Sequence, residues 1–249
     1  TGFETQVLKI GAGTVTYGSN VKATSASGNS GLICETLESG TICLDGYAFP
    51  NSAYTVQSTA SYDSTDTSAA GNAGGVIGVM KNGTTLDIKL AINIKNVTVT
   101  STNGNAGGIV GLMQQGATIR TEEGATATLK NPAITGSATA GGVAGWAVNT
   151  TFDDRDITAA ITVTTPTITA NASAASAGGF AGKYTLNTGN LGDATDLKFP
   201  EQVTIDTPTL TVNSEGLAGG YFGHLDLNGN LTYTIGGADS NTKKEVKPA

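Results

Sequence analysis

One phrase, Ala-Gly-Gly-φ-x-Gly with φ apolar or aromatic, occurs five times in this chain. Its copies are Ala73–Gly78, Ala106–Gly111, Ala140–Gly145, Ala177–Gly182 and Ala218–Gly223. The first glycines, Gly74, Gly107, Gly141, Gly178 and Gly219, are 33, 34, 37 and 41 residues apart. A short phrase recurring at roughly 20–50 residues is the mark of a repeat architecture. In such a fold no single repeat can bury its own apolar side, and stacked neighbours build one continuous core. Neither a helical pattern nor a Lys-Ser/Thr pair follows the phrase, so it is not a phosphate-binding loop.

Every repeat parses alike. After the phrase and its apolar tail comes a second segment of period-2 alternation: Thr85 to Ile94, Thr126 to Leu129, Ile157 to Val163 and Val203 to Ile205. A third, short strand then leads into the next phrase. Its copies are Thr98-Val99-Thr100, Ala133-Ile134-Thr135, Thr167-Ile168-Thr169 and Thr209-Leu210-Thr211. Three of these directly follow Pro132, Pro166 and Pro208, which suits a strand start. Three strands per coil and 33–41 residues per coil predict an all-β fold, a right-handed parallel β-helix. A β-sandwich is the alternative, but it leaves the repeated phrase without a reason.

Val99, Ile134, Ile168 and Leu210 are expected to stack inside the tube. The first two glycines of each phrase are expected to supply φ > 0 at a corner. The third is expected to let the chain pass close to a neighbour. Gly28 to Cys34 resembles Gly71 to Ile77 at an offset of 43 and reads as a degenerate first copy. Residues 45–72, with Tyr47, Phe49, Tyr54 and Tyr62 around Pro50, read as an excursion from the first coil, where function-specific features tend to sit. The expected organisation is therefore 1–70 as an N-terminal capping, irregular β segment that holds the degenerate first repeat, 71–237 as the solenoid and 238–249 as a polar tail.

Composition supports strands over helices. Glycine accounts for 35 of 249 residues, about twice the usual ~7%, and charged residues for only 13% against about 25%. The net charge of −7 opposes a nucleic-acid partner, which asks for a basic stripe. No apolar run reaches the 18 or so residues of a membrane-spanning helix. Cys34 and Cys43 are the only cysteines and form a disulfide candidate that fits an oxidising, extracellular setting; two buried thiols are the other reading.

The five glycine phrases resemble the GLUG-type repeats of bacterial cell-surface proteins, over about residues 71 to 225. The resemblance implies an extracellular bacterial solenoid acting as a stalk, filament subunit or adhesion module. Its implied partners are a host or matrix protein or glycan surface, or further copies of the chain. The variable period, the aromatic φ in the last two copies and the unmatched first 70 residues depart from that pattern.

Candidate sites are few. Thr98, Thr167 and Thr209 form one expected outward row, broken by Ala133, and Thr100, Thr135, Thr169 and Thr211 form a second. Such rows resemble the threonine ladders of ice-binding solenoids, although threonine also favours exposed strands for structural reasons alone. The phrase tails are apolar on both sides, which marks Ile77, Val79, Val110, Leu112 and Trp146 as a possible interface unless the chain covers them itself. Asp153, Asp154 and Asp156 around Arg155, with Asp193 and Asp196 one repeat on, are a weak Ca²⁺ candidate. They are also the acidic pair of loops that a carbohydrate-active β-helix enzyme would use. His224, the single histidine, has no partner pattern for nucleophilic catalysis. The sequence reads as a non-catalytic module, with no cofactor beyond a possible Ca²⁺.

Overall fold

The structure, a computed structural model, describes residues 7–11, 17, 21–61, 71–148, 161–187, 196–198, 203–212, 215–228 and 232–234. It is a parallel β-helix: every strand pairing is parallel, and each strand pairs with its counterpart one coil away. Three sheets of six strands each run along the stack. Sheet I contains Lys22–Ser25, Tyr54–Ser58, Val97–Ser101, Ala133–Gly136, Thr167–Ala170 and Thr209–Val212. Sheet II contains Ser30–Gly31, Ala73–Gly74, Asn105–Gly107, Thr139–Gly141, Ser176–Gly178 and Leu217–Gly219. Sheet III contains Cys34–Leu37, Ile77–Met80, Val110–Met113, Ala144–Val148, Ala181–Asn187 and Phe222–Asn228. At about 4.8 Å per rung, six rungs stack over about 24 Å.

Each full coil carries more than the three expected strands. The alternating run from Thr85 to Ile94 is split between two further four-stranded sheets. Sheet IV contains Val7–Gly11, Thr41–Asp45, Thr85–Ile88 and Thr118–Thr121. Sheet V contains Ile92–Lys95, Ala127–Lys130, Ile161–Thr164 and Thr204–Asp206. Leu90, which continues the alternation, falls at the corner between them and is 52% exposed.

The register expected for the third strand is the one found. Val99, Ile134, Ile168 and Leu210 are successive partners in sheet I, and the first three are buried. The degenerate first copy is also a true coil, with Ser30 opposite Ala73 and Cys34 opposite Ile77. Sheets I to III therefore take strands from residues 22–58 as well as from residue 73 onward, so the stack begins within the N-terminal segment, at the degenerate repeat. Tyr62 and the rest of 62–70 lie outside the described residues, and the described part of 45–72 is not one excursion. Tyr54–Ser58 is a strand of sheet I, aligned with Val97–Ser101, and Phe49 and Tyr54 are core residues.

The glycine phrase is an elbow between sheets II and III. Its Ala-Gly ends a sheet II strand, and its x-Gly begins a sheet III strand. Ile109's carbonyl accepts from the N–H groups of both Val76 (2.9 Å) and Ile77 (3.1 Å). Val143, Phe180 and Tyr221 repeat this double acceptance in the coils that follow. The bend turns φ and x together into the core, so Val76 with Ile77, and Ile109 with Val110, all belong to one apolar cluster. In the last two copies φ is aromatic, and Phe180 stacks on Tyr221 at 4.9 Å with the rings 11° from parallel.

The expected reason for the glycines holds for the third and fails for the first two. No phrase glycine has positive φ; among the described residues the positive-φ glycines are Gly40, Gly46, Gly71, Gly83, Gly116 and Gly124. All three are required because backbone passes too close for a Cβ. A Cβ on Gly107 would lie 1.9 Å from Val110 O, and one on Gly108 2.1 Å from Gly142 O. The third glycine packs on sheet II of the preceding coil: a Cβ on Gly145 would meet Ala106 N at 2.8 Å and Ala106 O at 2.9 Å.

A buried polar ladder runs up the start of sheet II. Asn72 Nδ2 donates to Asn29 Oδ1 (3.0 Å), Asn105 Nδ2 to Asn72 Oδ1 (2.7 Å), and Thr139 Oγ1 to Asn105 Oδ1 (2.7 Å). Asn72 and Asn105 are 0% exposed. Each rung thus satisfies the amide of the next, as buried polar groups must be satisfied.

Candidate functional site

Outward positions of sheet I form the two expected rows. Thr98, Ala133, Thr167 and Thr209 are successive partners, as are Thr100, Thr135, Thr169 and Thr211. Thr98, Thr167, Thr209 and Thr211 are exposed, and Thr100, Thr135 and Thr169 are half-buried. Toward the N-terminus Thr55 and Gln57 continue the rows.

Sequence reasoning missed that this face continues around the next corner. In sheet V the outward positions are Asn93, Thr128, Thr162 and Thr204 in one row, and Lys95, Lys130, Thr164 and Asp206 in the other. The signal was present in the alternation of Ala127–Lys130 and Ile161–Thr164, whose second and fourth residues point away from the core.

One residue makes each corner between sheets V and I. Asn96, Asn131, Thr165 and Thr207 hold φ of 50°, 49°, 47° and 45°. Asparagine tolerates this left-handed conformation, and β-branched threonine does so poorly. Asn131 Nδ2 donates to Asn96 Oδ1 at 3.3 Å, and the Thr165 hydroxyl bonds to Asn131 Oδ1. A row of amides and hydroxyls therefore caps the edge between two threonine faces. Thr165→Asn is expected to raise stability by about 1 kcal/mol by relieving the strained threonine; a urea midpoint unchanged or lowered relative to the parent chain contradicts this.

The other candidates fare differently. Ile77 and Val110 lie in the core cluster, and Val79 (1% exposed) and Leu112 (0%) are buried outside it. The chain covers these four by itself, because the elbow turns x inward and closes sheet II over the next outward row. Only Trp146 of that set reaches the surface, half-buried. Its indole Nε1 donates to Thr185 Oγ1 at 3.1 Å, and Lys183 Nζ lies 4.9 Å from its ring centroid.

Cys34 and Cys43 are free thiols. They stand on different walls, Cys34 in sheet III opposite Ile77 and Cys43 in sheet IV between Lys9 and Asp87. Burial pushes the Cys34 thiol up to about 11, and burial, then the Asp87 charge, raises Cys43. Both are therefore held as neutral thiols at neutral pH, the inert form.

Asp153, Asp154, Asp156, Arg155 and Asp193 lie outside the described residues. Asp196 opens the strand Asp196–Lys198, which pairs with Thr232–Thr234, and its side chain is outside them too. Among the described residues the one buried carboxylate with a cationic partner is Asp87. Arg120 Nε (3.2 Å) and Nη2 (2.8 Å) clamp it from the next coil, an ion pair that bolts two rungs of sheet IV together.

No family model, no curated protein and no solved structure matches the chain.

Proposed function

We propose that this chain is a non-catalytic binding module of an extracellular bacterial surface protein. In this reading it is a rigid solenoid that presents the hydroxyl and amide face of sheets V and I to a host, matrix or glycan surface. The observation that carries the reading is the face itself. Stacking brings threonine and asparagine side chains from four successive coils into register on both sides of one corner, with Lys95, Lys130 and Asp206 at the sheet V margin. A face of this kind offers many short, pre-organised donors and acceptors at one spacing, so little side-chain freedom is lost on contact. The resemblance of the glycine phrases to GLUG-type surface repeats supports the setting.

The test is retention on arrays of glycans and matrix proteins. A Thr135→Lys variant puts one long charged side chain in the middle of the row without stacking like charges, and should leave the thermal midpoint within about 2 °C of the parent. Retention by the parent chain and its loss in the variant is the expected result. Equal retention by both refutes the reading.

The unbroken register of the Thr100, Thr135, Thr169 and Thr211 row favours one second reading, the ordering of water at an ice surface. Thermal hysteresis above the colligative freezing-point effect supports it, and a value of zero ends it.

A further inference from the structure

The chain has one tryptophan and one histidine, and both line the same cleft. In sheet III the outward row reads Thr36, Val79, Leu112, Trp146, Lys183 and His224 in successive coils. The row faces the elbow, where sheet II folds back over it. In the early coils it is closed: Val79 and Leu112 are buried. In the last three coils it opens into a cavity of about 330 Å³, whose lining includes Trp146, Lys183, His224 and the loop residues Ala172 to Ala175.

The described lysines fall into two groups, those with an ion pair and those without, and Lys183 shares the second with Lys22, Lys95 and Lys130 but differs from them in lying beside an indole. Lys9, Lys81, Lys89 and Arg120 each pair with a carboxylate. Lys183 carries no ion pair among the described residues and lies instead over the Trp146 ring. That arrangement places the ammonium in the cleft lining, with His224 one rung away at about 4.8 Å. One permanent cation matches one negative charge. The indole and the methyl groups of Ala138, Ala172, Ala174 and Ala175 give the lining an apolar part, which Thr139, Ser173 and Ser176 complete with hydroxyls. The volume is at the small end for ligand pockets and suits one ring-sized group.

We infer that this cleft binds a monoanionic sugar, a uronic acid residue, with the carboxylate on Lys183 and His224 and the ring against Trp146 and the alanines. The site lies on a different wall from the hydroxyl face and does not depend on that face being a binding surface.

The two single-copy residues provide two independent reporters. Titration of the full chain with free glucuronate should give a saturable change in Trp146 fluorescence, with a Kd of about millimolar order for so small a ligand. The His224 ring proton resonance should shift with the same Kd. Glucose lacks the carboxylate and acetate lacks the ring, and neither should produce the saturable change. Lys183→Gln, which keeps the side chain's length and removes its charge, should weaken binding by about ten-fold, and so should raising NaCl to about 0.5 M. Failure of either reporter to saturate, an equal response to acetate or glucose, or unchanged affinity in Lys183→Gln overturns the inference. Should Lys183→Gln fail to fold, the glucose, acetate and salt arms on the parent chain still decide it.

Discussion

Gly107→Ala will not give a stable solenoid. The added methyl would sit 1.9 Å from Val110 O, 2.6 Å from Gly145 N and 2.8 Å from Val110 C. All three atoms are backbone, and two belong to the elbow's own next turn, so no side-chain rotation relieves the clash. The elbow must open, and the doubled hydrogen bonds to Val143 O from Ile109 and Val110 go with it. A loss of about 4 kcal/mol or more is expected, in the range reserved for overpacking of a closed site. That is most of the ~5–15 kcal/mol a domain of ordinary stability possesses. Gly83→Ala is the comparison. Gly83 has φ of +70° and nothing within 4 Å of the added carbon, so only the left-handed conformation opposes the change, at about 1 kcal/mol. Urea melts followed by circular dichroism read both. Equal midpoints for the two variants contradict the close-approach role of the phrase.

Asn105→Ala is expected to cost about 3 kcal/mol. It removes the donor to Asn72 Oδ1 and the acceptor of the Thr139 hydroxyl in a site that is 0% exposed, and it leaves a void the size of an amide. Asn103→Ala removes the same group from an exposed position, where Nδ2 donates to Ala60 O at 2.9 Å, and is expected to cost under about 1 kcal/mol. A similar cost for both variants would mean the interior ladder contributes no more than a surface bond.

The parts of this fold that could be read from the chain are those where one chemical signal repeats at a fixed place. Thr-x-Thr after a proline marks the sheet I strands of the later coils, and their register follows directly. Tyr54–Ser58 shows the same alternation, with Tyr54, Val56 and Ser58 buried. It was obscured because the residues around it break the spacing and no proline precedes it. The split between sheets IV and V is hidden because Leu90 keeps the apolar alternation going through a corner where it is exposed. The elbow is hidden for the opposite reason. Period-2 reading assigns Val76 and Ile77 to opposite faces, whereas the doubled acceptance by Ile109 O turns both inward. What looked like a wall apolar on both sides is a core residue followed by one covered by the chain's own fold.

For the candidate sites the same division holds. The threonine rows of sheet I are legible because the residue type repeats. The row of Trp146, Lys183 and His224 follows from their shared place after the glycine phrase, but the cleft they line does not, because three unlike residues carry no common chemical signal. Only the structure shows that the row opens in the last three coils.

The central claim is that the coils stack in the stated register, bringing hydroxyls distant in sequence into rows. Disulfide trapping tests it most directly. In a Cys34→Ser, Cys43→Ala background, Thr100→Cys with Thr135→Cys places two outward thiols on adjacent rungs, whose Cα separation of about 4.8 Å lies within the 4.4–6.8 Å a disulfide accepts. Mild oxidation of the folded chain should close this bond rapidly. Thr100→Cys with Ile134→Cys, one residue away but pointing into the core, should not close. Bond formation in the second pair and not the first would contradict the register, and with it the face.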